Sequence, residues 1–358
     1  MTTAESMEWG ECWLVPVQPP REVASAVRRA MGFLPAWAYR LGRVPWVVRA
    51  FARTTQVKLA YMPPDLWPLI AFVVSQDNSC RYCYGATRTF LRIFGYHEAW
   101  IDRLERGLQL AEISPAQQAA LRLARKVSQA NPRPTAADLD ALARVGFSRP
   151  AVAEITYAAA IVCFHNRLAT FFALPPQSFG RWMDKPVLRL LRPLVASQLR
   201  DRPRPPVAPP VPNDPPCAEV IAALGGSPTA HSLRRTVDEA LRSEVLPRRT
   251  KLLSLAVIGR ALGCARAEDE ARRELAGVGL AEADVEEILA NLASPRLDAR
   301  EQLLVPFARE TVRYRNRAIQ ERTRALAERL SIEEVIEAAA IAALANAVAR
   351  MSVILETC

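Results

Sequence analysis

The feature that most constrains the fold is that the chain repeats itself. Glu154-Ile155, Ala158-Ala159-Ala160-Ile161 and Asn166 recur 180 positions later as Glu334-Val335, Ala338-Ala339-Ala340-Ile341 and Asn346, and Ser114-Pro115 recurs as Ser294-Pro295 at the same offset. Further upstream the offset becomes 184, pairing Val73 with Val257, Cys80 with Cys264, Leu91 with Leu275, Gly95 with Gly279 and Ile101 with Val285. Any one match is within chance. Their shared order across most of both halves points to a duplicated unit, and 358 residues are enough for two such units, each with a core of its own.

No run alternates apolar and polar residues at period two for long, so the unit is all-α. With 28 prolines against 14 glycines, the prolines must sit between helices, at first turns or in linkers. Arg21 to Met62 reads as short helices broken by Pro35 and Pro45, with Trp37, Trp46, Val47 and Phe51 in the core. Leu66 to Ser75 is a buried helix. Helices follow over Trp100–Leu110, from Ser114-Pro115 to about Gln129, over Thr135–Val145, and over Ala151–Ala173, the last stopped by Pro175-Pro176. Residues 181–200 read as an amphipathic helix kinked at Pro193. Eight prolines among residues 203–216 then mark an extended spacer. The resulting organisation is an extension over 1–24, a first helical domain over 25–180, a basic Pro-rich linker over 181–216 and a second helical domain over 217–358.

Net charge is +10. Half of it lies in 181–204, where Arg181, Lys185, Arg189, Arg192, Arg200, Arg202 and Arg204 outnumber Asp184 and Asp201 by five. Without interleaved aromatics or a nucleic-acid-reading motif this is a solvated face, and no nucleic-acid partner is expected. No run of eighteen apolar residues occurs, so no membrane span is expected. Glu5 and Glu8 oppose a signal peptide, and seven scattered cysteines fit a reducing, cytoplasmic setting.

Visible chemistry is confined to Val73-Val74-Ser75-Gln76-Asp77-Asn78-Ser79-Cys80-Arg81-Tyr82-Cys83-Tyr84-Gly85-Ala86-Thr87. Two thiols at this spacing can close a short disulfide ring. Asn78 or Ser79 as cap would set both sulfurs in the first turn of a helix, where the dipole favours thiolate. Zinc is disfavoured because neither a second C-x-x-C nor an H-x-x-x-H is present. No metal, flavin, haem or other cofactor is expected.

The stretch Ser75 to Cys83, with the later helix Glu154 to Leu168 ending in Asn166-Arg167-Leu168, resembles the alkylhydroperoxidase D-like, or carboxymuconolactone decarboxylase-like, all-helical proteins. The resemblance covers roughly 25–178 well and 217–358 in degenerate form, implying two tandem repeats of that helical domain. In peroxidatic members the two cysteines cycle between dithiol and disulfide. A histidine four residues after the second cysteine and a glutamate about twelve before the first relay the proton. The resemblance makes Cys83 the attacking thiol and Cys80 the resolving one, with a hydroperoxide or disulfide as substrate and a thiol reductant that the sequence does not identify.

The relay histidine position is Thr87 and the glutamate position falls at Pro68, so activation would pass to the helix dipole and to Arg81 or Arg88. His165, beside Cys163 and Asn166, is a candidate substitute base; a hydrogen-bonded core histidine is the plainer reading of it. In the second repeat Ala267 and Ala271 stand at the second cysteine and histidine positions, so Cys264 cannot run a two-thiol cycle. A catalytically lapsed member that binds a small molecule or protein partner is the second reading. A cofactor-free lyase or isomerase is the third, with no acid/base pair to support it. Self-association into a homo-oligomer is left open.

Overall fold

The computed structural model describes residues 7–175, 211–212 and 214–352. The basic linker helix and most of the proline-rich spacer fall outside them. Every regular element among the described residues is a helix, as the periodicity requires. The first half holds α1 (Arg21–Met31), α2 (Ala36–Arg40), α3 (Pro45–Thr55), α4 (Leu66–Asp77), α5 (Arg81–Ile93), α6 (Glu98–Arg106), α7 (Pro115–Gln129), α8 (Ala136–Arg144) and α9 (Arg149–Phe171). The second holds α10 (Ala218–Ala223), α11 (Pro228–Arg242), α12 (Arg248–Ala261), α13 (Ala265–Gly277), α14 (Glu282–Asn291), α15 (Glu301–Glu310), α16 (Asn316–Leu326) and α17 (Ile332–Met351).

Local sequence sets most of the boundaries. Ser114 caps α7 in a reciprocal box with Gln117, with Pro115 as first helical residue, and Ser331 does the same for α17 with Glu334. Two readings shift. The helix expected from Trp100 to Leu110 runs from Glu98 to Arg106, because Gly107 returns the chain to an extended conformation and Leu108 turns into the core. Ser294-Pro295, the echo of Ser114-Pro115, lies in a turn. The corresponding helix begins at Glu301, whose N–H donates to Asp298 Oδ1 at 2.7 Å.

In the first half α4 packs against α5, α7 and α9; in the second α12 packs against α13, α15 and α17. The two groups meet through α9 and α17, which lie against each other over much of their length. Both helices are buried on all sides, from Ala151 through Phe171 and from Val335 through Met351, as expected of helices apolar around their circumference. A single apolar cluster consequently runs from Trp37 and Leu69 through Ile161 and Phe164 to Ile336 and Val348. Among the described residues no single helix is long and apolar enough to cross a membrane.

Polar groups inside this core are tied to backbone. Arg167 donates from Nε and Nη2 to the carbonyls of Thr311 and Val312, just past α15, and Arg350 donates from Nε to Ser128 O in the last turn of α7. Each arginine thereby reaches across to a helix C-terminus of the other half, where a cation is favoured. Glu154, in the second turn of α9, receives the N–H groups of Ala60, Tyr61 and Met62, each at 2.7 Å. That clamp fixes the loop feeding α4. Charge-assisted bonds to a buried carboxylate are worth about 1.5–3 kcal/mol each before compensation, so Glu154→Ala is expected to destabilise the protein by about 3 kcal/mol in urea denaturation. Glu334→Ala, which loses one exposed capping box, is expected to cost about 1 kcal/mol.

Candidate functional site

Helix α4 is apolar from Leu66 to Val74 and delivers the cysteine pair to the interior. It ends at Asp77; Asn78 follows, and Ser79 adopts a left-handed backbone at φ 50°. Cys80 N then bonds Ser75 O at 3.0 Å, and Cys80 itself caps α5, its Sγ accepting Cys83 N–H at 3.4 Å. The expected cap was Asn78 or Ser79. Asn78 instead ends α4, two residues before the cap position, and its Nδ2 lies 2.9 Å from Val74 O, 3.0 Å from Ser128 Oγ, 3.1 Å from Asn166 Oδ1 and 3.6 Å from Cys163 Sγ. The second half repeats the backbone of this turn, with Gly263 at φ 60° and Cys264 N on Gly259 O at 2.8 Å, but Cys264 at the N-cap position of α13 makes no capping bond, its sulfur lying 2.5 Å from Ser352 Oγ.

Both Cys80 and Cys83 are free thiols and both are buried. Burial pushes the Cys83 thiol well up from its ordinary value, and the Cys80 sulfur adds to the rise, while a hydrogen bond from Asn166 offsets part of it. The expectation that the helix start would favour thiolate therefore fails for Cys83. A helix terminus contributes about 0.3–1 kcal/mol, whereas taking a charge out of water costs several kcal/mol.

The relay positions themselves hold no base, and of the proposed substitutes Arg88 and His165 are engaged elsewhere. Thr87 Oγ1 donates to Cys83 O at 2.9 Å, the ordinary threonine bond to its own helix. Pro68 lies buried in the first turn of α4. Arg88 is held by Glu98, Asp102 and Glu105, and Glu105 also accepts the Tyr84 hydroxyl at 2.8 Å; burial and that carboxylate push Tyr84 up to about 12. His165 Nε2 is 2.7 Å from Thr54 Oγ1, and its ring stacks on Phe51 with centroids 4.4 Å apart. Thr54 already donates to Ala50 O at 2.7 Å, so His165 is the donor to Thr54. Burial lowers His165 to about 3, too weak a base for a thiol at neutral pH.

The motif's surroundings include residues to which the sequence reading gave no role at the site. Cys163 and Asn166, three apart on α9, face Asn78, and Asn166 Nδ2 donates to Ser75 Oγ at 3.1 Å. From the other half, Asn316 Nδ2 donates to Ser79 O at 2.7 Å. Only the spacing of Cys163 and Asn166 on one helix could have signalled this; the Asn316 contact has no sequence signal. Among the described residues no three His, Cys, Asp or Glu side chains converge to hold a metal ion.

No family model matches the chain, and no curated protein matches it. A solved structure is similar: an alkylhydroperoxidase AhpD core, an uncharacterized peroxidase-related protein from Ralstonia eutropha JMP134. The two are 25% identical with a TM-score of 0.43, over 48% of this chain and 95% of that one.

The carboxyl of Asp77, inside the motif, is raised by burial to about 6, with Arg125 at 3.4 Å opposing the rise only in part. A folded-state value above the unfolded one, about 3.9, means that the folded protein holds the extra proton. Stability from this group is present below about pH 4 and is lost as pH rises through about 6. Asp77→Asn is expected to stabilise the protein by about 1–2 kcal/mol at pH 7 and to flatten the slope between pH 4 and 6, read from urea midpoints at the two ends.

Proposed function

We propose that this chain is a thiol–disulfide redox protein of the alkylhydroperoxidase D-like kind, built from two helical repeats of which only the first keeps a cysteine pair. The observation that carries the reading is the placement of Cys80 as helix cap with the Cys83 amide on its sulfur and the two thiols in hydrogen-bond contact. The same turn around Cys264 and the matching helix succession in the second half support the duplication. In the reaction proposed, two thiols and a hydroperoxide give a disulfide, an alcohol and water; two electrons leave the sulfurs and the peroxide O–O bond breaks.

The burial of Cys83 and the absence of a competent base among its described neighbours make peroxide attack slow. Those observations also favour the second reading, a lapsed enzyme that binds a ligand through the same motif. Peroxide treatment followed by mass spectrometry separates the two. Loss of two hydrogens from the peptide carrying Cys80 and Cys83, reversed by dithiothreitol and abolished by Cys83→Ser, is expected; two thiols that stay alkylatable would leave the lapsed reading.

If the pair cycles, Thr87→His sets an imidazole one turn after Cys83 on the same face. Hydroperoxide turnover is expected to rise about tenfold, equivalent to about 1.4 kcal/mol of barrier, in a variant first checked for intact helical signal.

A further inference from the structure

Between α4 and α5 one peptide carbonyl is left out of both helices. Cys80 N–H goes back to Ser75 O at 3.0 Å, and Tyr84 N–H goes to Cys80 O at 2.8 Å. Among the described residues no backbone N–H reaches Ser79 O. Asn316 Nδ2 does, at 2.7 Å, from the first turn of α16 in the second half. Ser79 is also the residue at φ 50°, a left-handed conformation that costs free energy for any residue with a Cβ. The turn before Cys264 avoids that cost, since Gly263 stands there at φ 60°.

Asn316 is held as firmly as the carbonyl it grips. It is 9% exposed. Just before it, Thr311 O and Val312 O each accept from Arg167 of α9 at 3.2 Å; one turn after it on the same face of α16, Gln320 Oε1 accepts Gly10 N–H at 2.8 Å. The cysteine turn is fastened to the same stretch of α9. Asn166, next to Arg167, accepts from Asn78 Nδ2 at 3.1 Å and donates to Ser75 Oγ at 3.1 Å. Adjacent residues of one helix therefore fix both the turn and the arm that reaches it.

We propose that Asn316 is a positioning residue of the cysteine pair, its bond to Ser79 O holding the left-handed peptide that sets Cys80 against Cys83, so that the second half completes the redox turn of the first. The inference rests on the dithiol reading above and gives the half without a cysteine pair a part in it. No proton or electron passes through Asn316. It acts on ring closure, in which Cys80 and Cys83 lose two hydrogens to the hydroperoxide or disulfide oxidant and join through one S–S bond. Sulfurs kept in contact close more readily than sulfurs on a turn free to relax.

The test is the equilibrium of the pair in the full chain with redox buffers of glutathione and of dithiothreitol, read by alkylation and mass spectrometry. Asn316→Leu keeps the shape of the side chain and removes the donor. It is expected to make the disulfide at least tenfold less favourable, which raises the potential of the pair by about 30 mV. Glycine holds a left-handed backbone unaided, so Ser79→Gly combined with Asn316→Leu is expected to return to within about threefold of wild type. Gln320→Leu removes the neighbouring contact of α16 without touching Ser79 and is expected to leave the equilibrium unchanged. A wild-type equilibrium in Asn316→Leu, no rescue by Ser79→Gly, or an equal loss in Gln320→Leu overturns the inference; Asn316→Ala gives the same reading where the leucine is not accommodated. A wild-type pair that stays reduced in both buffers fails the dithiol reading and this inference with it, whereas a pair that closes equally well without Asn316 sinks this inference alone.

Discussion

The structure depends on the packing of α9 against α17. Each helix is apolar on every side, so neither can end a domain facing water; each needs helices of its own half on one flank and the other long helix on the remaining flank. Burial of this kind is worth roughly 25 cal/mol per Å² of apolar surface, and it carries one apolar cluster from the first half into α17, whose other flank joins a second cluster built with α12 to α15. The loops, caps and surface ion pairs are arranged around that constraint.

The same contact brings the site its polar surroundings. Asn166 and Cys163 project from α9 toward the turn that α4 and α5 make, and Arg167 projects from the next position toward the second half. One helical turn thus serves the thiols on one face and the partner half on another. A buried polar network of this kind tolerates little partial satisfaction, and the Asn78 NH2 group finds acceptors on α4, α7 and α9 for its two hydrogens.

Helices were legible because their signals are local. The start read at Ser114-Pro115 acts within a turn and holds in the structure, and Gly146 after α8 and Ser148 before α9 set helix ends equally locally. The site was legible only as far as its covalent sequence: the spacing of Cys80 and Cys83 reads directly, whereas the state of Cys83 depends on how much chain is folded over it. His165 shows the same limit. Its position beside Cys163 suggested a base, but Thr54 and Phe51, more than a hundred residues earlier, decide its tautomer and its basicity. Ser294-Pro295 repeated a cap in letters without repeating it in structure, since Asp298 holds the helix start instead.

On the proposed duplication, the two buried arginines do not occupy equivalent places. At the offset of 180, Arg167 falls opposite Ala347 and Arg350 opposite Thr170. In an assembly of identical subunits a two-fold axis forces every substitution to appear on both sides, and either arginine would bring a second like charge into the same interior. Joining the halves in one polypeptide removes that symmetry, so each side can vary its charge alone.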